Sequence, residues 1–255
     1  MLIKSGKKKE RIHPLYLIKH SIAIGGFLFL AIVVVAQPYA KWTKTELKLN
    51  NGVVERTFQL PQSAGSFITT SYKPVTGDYR FFKKENTDFQ FQINNHIYSG
   101  RSKWVLKNIV SHKDARAGDG AAVTLISGDK KFELTIEFLL YTNLPVVRKN
   151  LVIKNLTPTS LMLESVDVEK FETTDYWVST FSWVCHDYGR RRSIGPYDGD
   201  MQDALVIVHN SDWQQGIVVG NEASGVLKHT AAFWDEPTII SGLTQRCPFS
   251  FQEIY

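Results

Sequence analysis

The chain has 255 residues, of which 43% are hydrophobic and 22% charged, with 15 Phe, 10 Tyr and 6 Trp. That is the composition of a globular protein, long enough for one large β domain or two small ones. The net charge of +5 would suggest a nucleic-acid partner, but Lys4, Lys7, Lys8, Lys9, Arg11 and Lys19, set against Glu10, account for all of it before residue 37. The remainder is neutral and leaves no basic patch to meet phosphates, so no nucleic-acid partner is expected.

Residues 1–36 read as a targeting segment. A basic stretch precedes Ser21–Ala36 (SIAIGGFLFLAIVVVA), which carries no charge. As a helix these residues reach about 24 Å, short of the roughly 30 Å of bilayer hydrocarbon. Pro38 ends any helix there, and Val34-Val35-Ala36 is a small-residue pattern suited to signal peptidase. Cleavage after Ala36 would leave Gln37 as the first mature residue. The rival reading is an uncleaved anchor over residues 21–36 with its basic flank retained inside, the only membrane contact expected. Either way the body of the chain is expected outside the cytoplasm, in a periplasmic or extracellular setting. Export would permit a disulfide between Cys185 and Cys247, but two buried or idle thiols serve as well. No CxxC-type spacing supports a structural zinc site, and no cofactor is called for.

After residue 40 the pattern is that of strands. Leu47 and Leu49 alternate with Glu46 and Lys48, Asn50-Asn51-Gly52 is a tight hairpin turn, and Val53-Val54 with Arg56-Thr57-Phe58 begins the return strand. Pro61–Ser66 is a loop, and Phe67–Tyr72 is a strand. Phe89–Ile97 alternates throughout, with Phe89, Phe91 and Ile93 together. Trp104–Val110 is a strand, His112–Gly120 a polar loop, and Ala121–Ile126 a further strand.

The clearest signal lies between Phe132 and Phe171. Phe132, Leu134, Ile136, Phe138 and Leu140 share one parity, and Glu133, Thr135 and Glu137 the other. In the next run Val147, Leu151 and Ile153 share a face, opposite Arg148, Asn150 and Lys154. Leu161 and Leu163 then give way to Val166 and Val168, a change of parity that predicts a β-bulge near Ser165. With Asn143-Leu144-Pro145 and Pro158-Thr159-Ser160 as breakers, the three runs read as one meander with a buried face. Tyr176–Val178 and Phe181–Trp183 are short aromatic runs, and Asp187–Gly199 is a Gly-rich loop holding Arg190, Arg191 and Arg192. Ala204–His209, Gly216–Gly220, Leu227–Phe233 and Thr238–Ile240 complete about fifteen strands at sandwich-like spacing. The predicted fold is all-β: one large two-layer antiparallel sandwich over 41–255, behind the hydrophobic helix of 1–36.

NNGVVERTF, followed by TSYKPVTG, resembles the opening of melibiase-type α-galactosidases of glycoside hydrolase family 36. RKNLVIKNLTPTSLMLESVDVEKF and GIVVGNEASGVLKHTAAFWDEPTIISGLT are similar to later parts of that family's N-terminal, galactose mutarotase-like β-supersandwich. The resemblance spans about residues 44–250. It implies a domain that in the family precedes a catalytic (β/α)8 barrel, where paired aspartates cleave the α-galactosidic bond. A barrel needs about 250 residues of its own, so none is expected here. The chain is then expected to be a truncated or separate N-terminal part, inactive alone, with no catalytic residue. Its implied partners are a galactoside-type carbohydrate and either a catalytic barrel or a second copy of the chain. A free-standing carbohydrate-binding module and a ligand-free interaction domain are the alternatives.

Candidate sugar contacts follow from residue chemistry. Trp183, Trp213 and Trp234 offer rings for pyranose C–H faces, and Asp187, Asn221, Glu222 and His229 offer hydrogen bonds to hydroxyls. For each, packing, turn capping or solvation is the plainer role. Asp187, Asp198, Asp200 and Asp203 cluster beside three arginines, as in a solvated, charge-balanced loop.

Overall fold

The computed structural model describes residues 39–79, 81–83, 85–115, 118–173, 179–183, 190–194, 199–201, 205–210, 212–222, 228–233, 238–251 and 253–254. Ala36 and Gln37, with the whole targeting segment, lie outside them. Every regular element among the described residues is a β-strand, and no helix there is long and apolar enough to cross a membrane.

The first sheet follows chain order: β1 (Ala40–Trp42), β2 (Glu46–Asn50), β3 (Val54–Gln59) and β4 (Ile68–Pro74), all antiparallel. The predicted hairpin turn joins β2 to β3. Gly52 takes φ 86°, where a β-carbon would be strained. Asn51 directs this turn: its Oδ1 accepts from the Val53 and Val54 amides at 3.0 and 2.9 Å. Its Nδ2 donates to the carbonyls of Tyr141 and Leu144 at 2.7 and 2.8 Å, tying the turn to the opposing layer.

β5 (Asp88–Ile93) and β6 (His96–Ser99) form the next hairpin. The sequence read Phe89–Ile97 as one strand. The structure breaks it at Asn94 and Asn95, whose φ of 49° and 62° are the pair a type I′ turn demands. The run therefore folds back on itself. β7 (Trp104–Asp114) and β8 (Gly118–Ser127) extend into the expected polar loop, most of which is strand. β9 (Phe132–Tyr141) and β10 (Val147–Asn155) continue the meander.

β11 (Leu161–Glu172) departs from expectation. It pairs with β5 and with β18 (Thr238–Phe251), not with β10. Both β10 and β11 present apolar inward faces, Leu151 and Ile153 on one and Leu161 and Leu163 on the other. Placing them in opposite layers buries those faces within one core. Asn155 shapes the crossing: Nδ2 donates to the Thr159 carbonyl at 2.7 Å and Oδ1 accepts from the Thr157 amide at 2.8 Å.

The bulge predicted near Ser165 is present, as a register shift between Leu163 and Ser165 against both neighbours. A second shift follows between Asp167 and Glu169 against β18. The inward parity thus runs Leu161, Leu163, then Val166, then back to odd positions at Phe171. Glu169 shares that restored parity.

The remaining strands are β12 (Ser179–Trp183), β13 (Arg190–Ile194), β14 (Gly199–Met201), β15 (Leu205–Asn210), β16 (Gln215–Gly220), β17 (Lys228–Phe233) and β19 (Glu253–Ile254). Arg190–Ile194, expected in a loop, is a strand paired with β12. The sheets run β1-β2-β3-β4, β19-β10-β9-β8-β7 and β14-β17-β18-β11-β5-β6, with hairpins β12-β13 and β15-β16. Reciprocal backbone hydrogen bonds between Thr69 and Asn86, at 3.1 and 2.7 Å, stitch the first sheet to the segment entering β5. The four- and six-stranded sheets thereby face the five-stranded one across a shared core. Phe58 from the first and Phe138 from the last meet at 4.6 Å between ring centres, and Phe91 and Phe132 at 5.5 Å.

Asn51→Ala is expected to lower the unfolding free energy by about 1–3 kcal/mol, read from urea midpoints, because two carbonyls and two amides lose their partner. Asn51→Asp keeps the acceptor and should recover part of that loss.

Candidate functional site

Three charged side chains share the apolar parity of their strands. Arg56 lies between Val54 and Phe58 on β3, Lys149 between Val147 and Leu151 on β10, and Glu169 two residues before Phe171 on β11. Alternation sends all three inward. Asp88, at the head of β5, joins them by another route. Its φ of 76° and the 3.0 Å bond from the Phe89 amide to the Thr87 carbonyl make a γ-turn with Asp88 at its centre. That turn is rare and strained, and here it points a carboxylate into the interior.

The four groups close into a neutral quartet. The Arg56 guanidinium grips Glu169 with two parallel bonds of 3.0 Å and donates to Asp88 Oδ1 at 2.5 Å. Lys149 Nζ donates to Asp88 Oδ2 at 2.7 Å and to the Asp88 carbonyl at 2.9 Å, and sits 3.0 Å from Glu169 Oε1. Thr69 on β4 donates to Asp88 Oδ1 at 2.7 Å. The Arg56 and Lys149 side chains are 2% exposed, Asp88 0% and Glu169 14%. Aromatic rings form the walls: Arg56 lies 4.9–5.7 Å from the ring centres of Phe58, Tyr72, Phe138 and Phe171.

These contacts set the protonation states. Burial alone would raise the Asp88 pKa, but Lys149 and Arg56 outweigh it and hold the carboxyl below its ordinary value. Burial opposes the Arg56 charge too, yet Glu169 and Asp88 hold its pKa above the ordinary value. Burial pushes the Tyr72 phenol up to about 12, and Tyr79 is raised for the same reason. Both phenols stay neutral at pH 7.

Arg56, Lys149 and Glu169 of the quartet line a cleft of about 1040 Å3. One wall is β4 with Tyr72–Pro74, another is β11, and β16 with Asn221 and Glu222 closes the far side. The β15–β16 hairpin is held there by Val208 and Val219 against Phe81, Phe171 and Ile239, and by a 2.8 Å bond from the Tyr79 hydroxyl to the Gly216 carbonyl. At the mouth, Arg148 and Glu222 form an exposed ion pair of 2.8 Å.

The residues singled out from the sequence divide. Asn221 and Glu222 line this cleft. Asn221 donates to the Gly242 carbonyl at 2.7 Å, and Glu222 meets Arg148. Trp213 lies in the turn between β15 and β16, 40% exposed and away from the cleft, with its amide held by Asn210 Oδ1. Trp183 ends β12 opposite Arg190, and His229 sits in β17 opposite Gly242. Asp187 and Trp234 lie outside the described residues, as do Asp198 and Asp203, while Asp200 is in β14. Arg56, Asp88, Lys149 and Glu169 were not singled out. Arg56 and Lys149 were legible as charges on an apolar parity. Glu169 needed the second bulge, and Asp88 a backbone turn that alternation does not report. Among the described residues no cluster of His, Cys, Asp and Glu is arranged to hold a metal ion.

Neither protein-family models nor the curated proteins give a match to this chain. Among solved structures, the fold is similar to the glycoside hydrolase family 36 α-galactosidase AgaB from Geobacillus stearothermophilus. The TM-score is 0.54 at 14% sequence identity, over 84% of this chain. The match spans 40% of that chain. At this identity the likeness is one of fold: a family 36-like β-sandwich.

Because the folded Asp88 pKa lies below the unfolded value of about 3.9, its stabilisation is complete above that pH and is lost as pH falls through the folded pKa. Chemical denaturation of the wild type and Asp88→Asn should show a constant gap from pH 7 to about 5, closing below about 4. A gap unchanged down to about pH 2 would remove Asp88 from the account.

Proposed function

We propose that this chain is a non-catalytic, carbohydrate-contacting domain of an α-galactosidase-like glycoside hydrolase, of the kind that stands before a catalytic barrel. The fold likeness to a family 36 α-galactosidase, reaching over most of this chain and under half of the other, carries this reading. The chemistry of the cleft agrees with it. A retaining glycosidase needs two carboxyl groups about 5–5.5 Å apart, one of them free to attack. Of the carboxylates that line the cleft, Glu169 is committed to Arg56 and Lys149 and Glu222 to Arg148, with Glu137 and Glu164 as the other two. Other hydrogen-bonding side chains that line the cleft are Asn150, Tyr79 and Tyr141. Such groups recognise hydroxyls without cleaving bonds. The proposal includes export of the domain behind residues 1–36, on the basic-then-apolar pattern of that segment.

One preparation tests these points. Protein recovered from the cell envelope or medium is expected to begin at Gln37 and to leave nitrophenyl α-galactoside intact. Titration with galactose or raffinose should give no saturating heat in the millimolar range until a family 36 barrel is added. Saturable binding by the chain alone would favour a free-standing carbohydrate-binding module. Hydrolysis by the chain alone would defeat both readings, and retention of Met1 in a membrane fraction would favour an anchor over a cleaved signal.

A further inference from the structure

Three turns and the entry of the chain meet at one end of the sandwich. Residues 50–53 join β2 to β3, residues 142–146 join β9 to β10, and residues 75–77 follow β4. Asn51 bonds the first turn to the Tyr141 and Leu144 carbonyls, and the Val75 amide donates to the Val53 carbonyl at 2.9 Å. The Asn50 amide donates to the Tyr39 carbonyl at 2.7 Å, and the Tyr39 hydroxyl to Thr142 Oγ1 at 3.3 Å. None of the three turns holds a charged residue. Val75 and Leu144 project from them, 41% and 50% exposed, with Val53 and Tyr39 half-buried beside them. Glu55, Lys73, Asp78 and Arg148 flank the turns in sequence, and the β7–β8 turn brings Asp114 to the β8 side of the same end. The opposite end differs. There the turns 100–103 and 128–131, joined by a 2.8 Å bond from the Gly128 amide to the Lys103 carbonyl, hold Arg101, Lys103, Asp129, Lys130 and Lys131. Exposed apolar side chains gathered on neighbouring uncharged turns mark an interaction surface.

We propose that this end rests on a lipid bilayer, with Val75 and Leu144 set among the headgroups. Continuity of the chain selects lipid as the occupant. The uncharged run of residues 21–36 stops three residues before Tyr39, a tether of about 10 Å at full stretch. A bilayer entered by that run lies within this reach of Tyr39, and Tyr39 is bonded into the turns. The inference therefore rests on the proposed membrane-directed role of residues 1–36. The make-up of the turns suits the place. Apolar side chains of interfacial segments sink about 5–10 Å into the boundary between headgroups and acyl chains, and charges oppose that entry. Unpaired backbone groups oppose it too, and here the amides of Asn50, Val53, Val54 and Val75 already have acceptors. Tyrosine favours this layer, with its ring in the apolar side and its hydroxyl in the wet one. Lys73, exposed just behind Pro74, is placed to meet anionic headgroups.

The test uses the full chain, Met1 retained, with vesicles of phosphatidylcholine and phosphatidylglycerol. A genetically encoded, environment-sensitive fluorescent amino acid replaces Thr76, Leu144 or, as the control, Ser160 in the turn at the far end of β10. Flotation with the vesicles reports on residues 21–36, and the probe reports on the turns. Emission at Thr76 and Leu144 should move to the blue and quenching by aqueous iodide should fall severalfold, while Ser160 stays unchanged. Val75→Asp, at an exposed position, should return the Leu144 probe to its quenching without vesicles and leave flotation intact. Flotation with the turns as open to iodide as Ser160 would overturn the inference and keep the membrane-directed role of residues 21–36. Absence of flotation would overturn both. A blue shift at the turns that follows protein concentration without vesicles would assign this end to a second copy of the chain and overturn the inference as well.

Discussion

Two cations buried in an apolar interior dictate much of this structure. Arg56 and Lys149 reach the core on the inward faces of β3 and β10, where leaving either charge unpaired is costly. Their carboxylates must come from elsewhere, and they come from β5 and β11. With Thr69 from β4, the cluster draws on all three large sheets. A one-residue slip in any contributing strand would turn its charge outward and strand the others. Buried ion pairs add little net stability over a well-packed apolar replacement, but breaking one is strongly destabilising. The quartet thus acts chiefly on register and on the relative placement of the sheets. It also offsets two local irregularities, the γ-turn at Asp88 and the second bulge of β11, which aim its carboxylates.

Alternation made the all-β body readable from the residues alone. The inward faces of β9 and β10, the Asn51-Gly52 hairpin and the bulge near Ser165 are each a direct consequence of period two and turn chemistry. Period two does not say which sheet receives a strand, so β11 was read as the neighbour of β10 when it lies across the core. Nor does it separate one long strand from a hairpin when the turn residues are Asn94 and Asn95, since polar positions in a strand look the same. The candidate site was less legible. Asn221 and Glu222 were picked for their chemistry and do reach the cleft, whereas Trp213 was picked for its ring and stands away from it. The interior charges lie on strands, where alternation alone gives polar residues no distinguishing mark unless they fall on the apolar parity. A lysine on the parity of Val147, Leu151 and Ile153 was the more telling anomaly.

On the proposed reading the cleft serves recognition. Of the carboxylates lining the cleft, Glu169 and Glu222 are paired with cations, and burial keeps the Tyr72 and Tyr79 phenols protonated at pH 7. The likeness to the family 36 α-galactosidase extends over 40% of that chain.

The most direct test of the central claim is a double-mutant cycle on Arg56 and Glu169, using Arg56→Met, Glu169→Gln and the pair, with urea unfolding at pH 7. If the quartet binds the sheets together, the single changes each cost several kcal/mol and the pair is non-additive, with a coupling of roughly 1–3 kcal/mol. Additivity within about 0.5 kcal/mol would mean that the two side chains are independent, and the account of how these sheets are held in register would fail.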